Sequence, residues 1–225
     1  MVTRRRTARP AGIARLLRLA VLAAAAAALA AGAAQAQEAT LYFLTAKVGQ
    51  QEVGGSLFKT LAANHGPLQE NQTVNRQGAE LEIYAVTRHK YGLAVGLEVM
   101  EFDKTFTFFD KTGALAPEHL RLDGRSFLYS LKGFLRFGDV LPFIGIGTGS
   151  YYLSYDEKVS QLSFLDAVTP VLAYRAGVRW LVAGRWGVLA EAGEISAPLH
   201  VTTNNTRTTF ELGGSFWNVG ISYVW

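Results

Sequence analysis

From residue 172 to residue 182 the chain alternates: Leu172, Tyr174, Ala176, Val178, Trp180 and Val182 occupy every second position, with Ala173, Arg175, Gly177, Arg179 and Leu181 between them. The spacing of Arg175 and Arg179 alone would suit a helix, but six apolar residues at every second position would not. Successive side chains of a strand point to opposite faces, so this segment has one apolar face and one carrying charge. The same period selects strands at Leu41–Gly49, Ala79–Arg88, Tyr91–Glu101, Ser126–Phe137, Pro142–Tyr152, Val171–Val182, Trp186–Ile195 and Phe216–Trp225. Most are about ten residues long, the length a tilted strand needs to cross a bilayer.

The connections alternate in size. His89-Lys90, Gly138-Asp139-Val140-Leu141 and Ala183-Gly184-Arg185 are tight turns, while the segments near residues 50–78, 102–125, 153–170 and 196–215 are long and polar. This predicts an all-β fold: an eight-stranded antiparallel up-and-down transmembrane β-barrel with long extracellular loops. On the apolar parity, Tyr91, Phe137, Trp180, Trp186, Tyr223 and Trp225 fall at the short-turn ends. Amphipathic rings prefer a membrane–water boundary, so these positions predict an aromatic girdle. Phe127, Tyr152 and Trp217 fall near the long-loop ends as a second one.

Charge then orients the faces. An arginine facing lipid near the midplane costs about 2–4 kcal/mol, which turns Arg175 and Arg179 inward. The same parity places Lys47, Glu80, Glu82, Arg88, Glu98, Lys132, Arg136 and Glu191 inside. An eight-stranded barrel is just wide enough for side chains to fill, and buried charges must pair. A connected ion-pair network plugging the lumen is expected. The simpler alternative is a few local pairs in a partly hydrated interior, and a network able to rearrange would pass small ions.

Residues 1–36 change the charge balance. Arg4, Arg5, Arg6, Arg9, Arg15 and Arg18 precede the apolar run Leu19–Ala31 and the small-x-small site Ala34-Gln35-Ala36, the pattern of a cleaved signal peptide with the mature domain at 37–225. The whole chain has 22 basic and 18 acidic residues; without the leader's six arginines the balance is 16 to 18, or −2. The positive excess therefore belongs to the leader and gives no reason to expect nucleic-acid binding. There is no cysteine, hence no disulfide and no thiolate chemistry. No second apolar stretch is long enough for a spanning helix, so any crossing is by strands.

In the segment Phe216–Trp225, Trp217, Val219, Ile221, Tyr223 and Trp225 share one face. Val219, Ile221, Tyr223 and Trp225 resemble the assembly signal of bacterial outer-membrane barrels, with Trp225 where that signal usually has Phe. Leader, strands, girdle, charged lumen and aromatic end together resemble the small eight-stranded outer-membrane barrels of the OmpA/OmpX/OmpW type. The resemblance implies a location in the cell outer membrane. As partners it implies outer-membrane lipid and lipopolysaccharide, the barrel assembly machinery and periplasmic chaperones. It also implies a monomer acting as a structural or adhesive surface protein, a narrow porin-like channel or, more rarely, a lipid-modifying enzyme. A soluble lipocalin-like barrel shares the alternation but turns its apolar face inward.

Candidate chemistry is sparse. Gly145-Ile-Gly147-Thr-Gly149 lacks the spacing of a dinucleotide loop and reads as an inward glycine row. His65, His89 and His119 fall in loops or turns. Glu191, Glu194, Ser196 and His200 include the residue types of acyl transfer. Outer-membrane lipid A deacylases, however, carry His and Ser two apart on a strand, and here Pro198 intervenes across a spacing of four. Asp156, Glu157 and Asp166, or Lys104, Lys111, Arg121 and Arg125, are candidates to meet lipopolysaccharide through a divalent cation or directly. Ordinary solvated loops are the simpler reading of both sets. No catalytic residue, metal site or cofactor is expected. Phe102-Asp-Lys-Thr recurs as Phe109-Asp-Lys-Thr, which suggests a hairpin turned at Thr112-Gly113 that extends the barrel.

Overall fold

The structure is a computed structural model describing residues 37–53, 55–56, 59, 71–87, 90–108, 118–157, 167–203 and 206–225. The leader, Arg88, His65, His89, Lys111, Asp166 and the turn at Thr112-Gly113 lie outside the described residues. Among the described residues ten strands form: β1 (Gln37–Glu52), β2 (Thr73–Thr87), β3 (Tyr91–Phe108), β4 (Glu118–Leu135), β5 (Val140–Glu157), β6 (Ala167–Ala183), β7 (Trp186–Ser196), β8 (Pro198–Thr203), β9 (Thr206–Glu211) and β10 (Gly214–Val224). Eight of them close a barrel in the order β1-β10-β7-β6-β5-β4-β3-β2, every pairing antiparallel. The seam is closed by β1 on β10, from Phe43↔Val224 to Gln51↔Phe216. Closure leaves the barrel without a sheet edge.

The short turns have the backbone their residues suggest. Gly138 and Gly184 adopt φ of 62° and 56°, and Lys90 adopts 64°. The left-handed region suits glycine and is uncommon for lysine, so Lys90 is the costlier of these turn residues.

Apolar side chains at alternate positions face outward. Leu44, Leu81, Leu97, Tyr129, Ile144, Tyr174, Val188 and Ile221 are all exposed, while Phe43, Glu80, Glu98, Leu128, Arg175 and Leu189 are buried. A lipocalin-like interior is therefore ruled out: the continuous apolar face is the outer one.

The strands outrun their apolar alternation. β3 and β4 stay paired from Tyr91↔Leu135 to Phe108↔Glu118. The paired ladder brings the two strands to the edge of the expected hairpin turn. Above Val99 on β3 and Phe127 on β4 the faces exchange chemistry. Asp103, Arg121 and Arg125 are exposed and in ion pairs, whereas Phe102, Phe106 and Leu122 are buried. Backbone pairing does not depend on which face is apolar, so the ladder continues where the pattern inverts.

Residues 196–215, expected as a loop, hold a second sheet. β8 and β9 pair from Pro198↔Glu211 to Thr203↔Thr206. Their Val201, Thr202, Thr203, Thr206, Thr208 and Thr209 are β-branched and favour strand geometry over an open loop. Glu211 fixes the base of this hairpin by accepting hydrogen bonds from Ser196 Oγ at 3.2 Å, Gly213 N at 3.0 Å and Ala197 N.

Candidate functional site

Seven of the barrel strands contribute a polar side chain to one buried layer. Lys47 comes from β1; Arg76, Glu80 and Glu82 from β2; Glu98 from β3; Lys132 from β4. Arg175 and Arg179 come from β6, Glu191 from β7 and Asn218 from β10. Each is at most 4% exposed. The eighth strand, β5, supplies space. A Cβ on Gly145 would lie 2.8 Å from Lys132 Cγ, and one on Gly147 would lie 3.4 Å from Arg175 Nη2. The glycine row is thus the hollow into which two long cations extend.

Lys47 sits at the centre. Its Nζ is 2.7 Å from Glu98 Oε2 and 2.7 Å from Glu191 Oε1, and it also pairs with Glu80. Lys132 Nζ bridges Glu80 Oε1 at 2.8 Å and Glu82 Oε1 at 2.6 Å. Arg175 grips Glu98 with both terminal nitrogens, at 2.8 and 3.3 Å, the two-point geometry that makes guanidinium–carboxylate pairs strong. Arg179 donates to Glu82 and, at 3.1 Å, to Thr45 Oγ1. Asn218 Nδ2 and Ser130 Oγ donate to Glu191 and Glu80 at 2.8 and 3.3 Å. Each carboxylate serves more than one cation, so the layer is a single connected network.

Apolar layers close it above and below. Toward the long-loop end lie Phe102, Phe106, Leu128, Tyr151, Ile195 and Phe216, among others, all buried. Toward the short turns lie Phe43, Tyr84, Phe134, Leu141, Phe143 and Leu189. Cations meet these layers through ring faces. Arg179 lies 4.1 Å from the Phe43 centroid, Lys132 4.7 Å from Phe143, and Arg76 5.0 Å from Phe216. Such contacts are worth about 2 kcal/mol or more when desolvated.

Of the residues assigned to the lumen from parity, Lys47, Glu80, Glu82, Glu98, Lys132, Arg175, Arg179 and Glu191 come together here. Arg136 does not. It follows the last residue of β4, and its exposed Nε donates to Gly138 O at 3.2 Å. Inward parity places it at the rim, where water is within reach of a long side chain. Arg76 takes part unforeseen: its Nη2 is 3.5 Å from Glu98 Oε1 and its Nη1 donates to Gln51 Oε1 at 3.0 Å. It belonged to an expected loop because apolar alternation begins only at Ala79, yet it shares even parity with Glu80 and Glu82.

The outer surface carries the aromatic positions. Tyr91, Phe137, Trp180, Trp186 and Trp225 are exposed, with Tyr223 half-buried. Tyr42, unforeseen, joins them. Tyr42 stacks on Trp225 at 6.0 Å, Trp225 on Tyr223 at 6.2 Å, and Tyr223 meets Trp186 edge-on at 5.2 Å. The stack crosses the barrel seam. Val219 and Ile221 are exposed on the same face of β10. At the other end Phe127 and Tyr152 pack at 5.6 Å, and Trp217 is exposed.

Of the residues considered for acyl transfer, the His200 side chain lies outside what the structure describes. Glu191 is bound into the lumen network, and Ser196 donates to Glu211. His200 lies on β8 and His119 on β4. Arg121 pairs with Asp103 at 2.7 Å and Arg125 with Glu101 at 3.0 Å on the outer face. Lys104 Nζ instead ties down backbone oxygens, Asn71 O at 2.9 Å and Thr73 O at 2.6 Å. Asp156 and Glu157 lie at the end of β5.

No protein-family model matches the chain, and no curated protein matches it significantly. Among solved structures it is similar to Ail, the attachment invasion locus protein of Yersinia pestis, in complex with the heparin analogue sucrose octasulfate. That likeness has 11% identity and a TM-score of 0.47, covering 83% of this chain and 98% of that one. Neisserial surface protein A gives 12% identity and a TM-score of 0.47, over 83% and 99%. A major outer membrane protein from Thermus thermophilus gives 12% and 0.46, over 84% and 100%. The fold assignment rests on the strand pairing itself.

Proposed function

We propose that this protein is an integral outer-membrane β-barrel, exported with residues 1–36 as a cleaved leader, that acts as a structural or surface-interaction protein without catalysis. The observation that carries this is the stacking of layers: a paired charge layer with a buried apolar cluster on either side, inside a wall whose outer face is apolar. In a bilayer the outer face would need no partner, and paired charges with apolar neighbours on either side favour a closed lumen over a wide pore. Outer-membrane lipid and lipopolysaccharide would surround the band as partners. Val219, Ile221, Tyr223 and Trp225 would present the terminal strand to assembly factors and chaperones, and the protein would be monomeric.

The experiment is conductance in planar bilayers. The plugged barrel is expected to show no steady openings. Reproducible single-channel steps would instead favour a narrow channel, in which both apolar layers as well as the ion pairs must part. Deleting Tyr223–Trp225 is expected to leave unassembled periplasmic protein; a heat-modifiable barrel in the outer membrane would contradict the assembly role.

A further inference from the structure

The charge layer does not balance. Lys47, Arg76, Lys132, Arg175 and Arg179 face Glu80, Glu82, Glu98 and Glu191, so the described interior holds one cation in excess. Arginine keeps its proton in proteins, and an uncompensated buried charge is costly. Water can satisfy a donor but not neutralise a charge.

Arg76 Nε and Arg175 Nε each lack a hydrogen-bond acceptor among the described residues, and Arg179 lacks two. Arg179 is fully buried, and its Nη2 is committed to Glu82 and Thr45. Its Nε and Nη1 have no hydrogen-bond acceptor among the described residues. Beside it, the buried hydroxyls of Thr45 and Ser222 bond to each other at 2.9 Å. Two hydroxyls sharing one bond leave one O–H free to donate. Among the described residues, Glu82 is the carboxylate that Arg179 contacts, and Lys132 shares it. Below lie Phe43, Leu141, Leu189 and Val224, and also Tyr84, whose hydroxyl donates to Glu82 at 3.4 Å. Guanidinium N–H groups, a hydroxyl donor and apolar walls are the chemistry of a site for a small, weakly hydrated anion.

We propose that a single halide-sized monovalent anion binds inside the barrel at Arg179, Thr45 and Ser222, neutralising the excess cation. The site is independent of whether the barrel conducts, and of which membrane holds it. It makes the barrel's stability depend on the identity of the anion as well as on ionic strength.

Bromide is the probe. With the purified folded protein in detergent micelles, bromide replaces gluconate at constant ionic strength while thermal unfolding is followed. Crystals grown in bromide are examined for anomalous scattering. A saturable rise in unfolding temperature is expected, with an anomalous peak in contact with the Arg179 guanidinium. Ser222→Ala and Thr45→Val, which remove a hydroxyl each, are expected to weaken the apparent bromide affinity about tenfold, as for one hydrogen bond to a charged group. Arg179→Gln should abolish the effect; should that variant fail to fold, the two hydroxyl variants carry the test. The proposal is overturned by wild-type stability indifferent to bromide, by density at Arg179 without anomalous signal, by an adventitious ion only on the outer surface, or by hydroxyl variants that respond like the wild type.

Discussion

The lower and upper halves of β3 and β4 are one continuous ladder with opposite chemistry on the same faces. Below, Leu97, Tyr129 and Leu131 face out while Glu98 and Lys132 face in. Above, Asp103, Arg121 and Arg125 face out while Phe102, Phe106 and Leu122 face in. The upper part obeys the rule of a sheet in water, with a buried apolar face and a solvated polar one. The lower part obeys the rule of a barrel in lipid, where outward polarity is costly and charge is tolerable only inside. On the proposed membrane placement, the outer environment changes from lipid to water where the two meet, between Val99 and Glu101 and between Phe127 and Arg125.

The sharpest way to break this contrast is to unbalance the lower interior. Glu98→Gln takes from Lys47, Arg76 and Arg175 the carboxylate they share and raises the buried cation excess from one to two, so it is expected to cost about 3–5 kcal/mol. Urea titration in lipid vesicles would check it; a loss under about 1 kcal/mol would mean the layer is wet and screened. Next in size, Leu131→Arg puts a charge on the lower outer face and should cost about 2–4 kcal/mol in vesicles, by the same titration. Unchanged stability would place that face outside the hydrocarbon. Trp225→Ala removes the centre of the Tyr42–Trp225–Tyr223 stack and is expected to cost about 0.5–1.5 kcal/mol beyond lost burial, read against a Tyr42→Ala, Trp225→Ala double-mutant cycle. Smallest of all, Arg121→Gln in the upper region breaks an exposed pair with Asp103 and should change stability by no more than about 1 kcal/mol. A larger loss there would show that the upper outer face is not solvated.

Most of the lower region was legible in the sequence because lipid imposes a strict alternation. Wherever the outer face must be apolar, parity alone sorts Arg175 and Glu98 inward and Tyr174 and Leu97 outward. The upper region was less legible for the converse reason. Once water bathes the outside, the phase reverses, and Phe102 and Phe106 read as loop aromatics although they form an inward apolar layer. Arg76 was lost at the same boundary, since its strand begins at Thr73, before the apolar alternation does. Arg136 was misplaced because parity says which way a side chain starts but not whether the strand continues around it. The β8–β9 hairpin gave only a β-branched bias, too weak beside polar neighbours to indicate pairing. The two apolar clusters were not read from the sequence: much of the upper one lies in expected loops, and the stacking of both on either side of the charges depends on strand stagger, which no single strand reveals.

The reversal of faces can be measured directly, since the chain has no cysteine and single cysteines can be placed at will. Environment-sensitive labels at positions 129 and 131, and at 103 and 123, all start from outward positions on β3 and β4. In vesicles whose acyl chains carry nitroxide quenchers, labels at 129 and 131 should be quenched strongly and those at 103 and 123 should keep nearly full emission. Equal quenching at all four positions, or quenching confined to 103 and 123, would contradict a lipid boundary at the point where the pattern inverts.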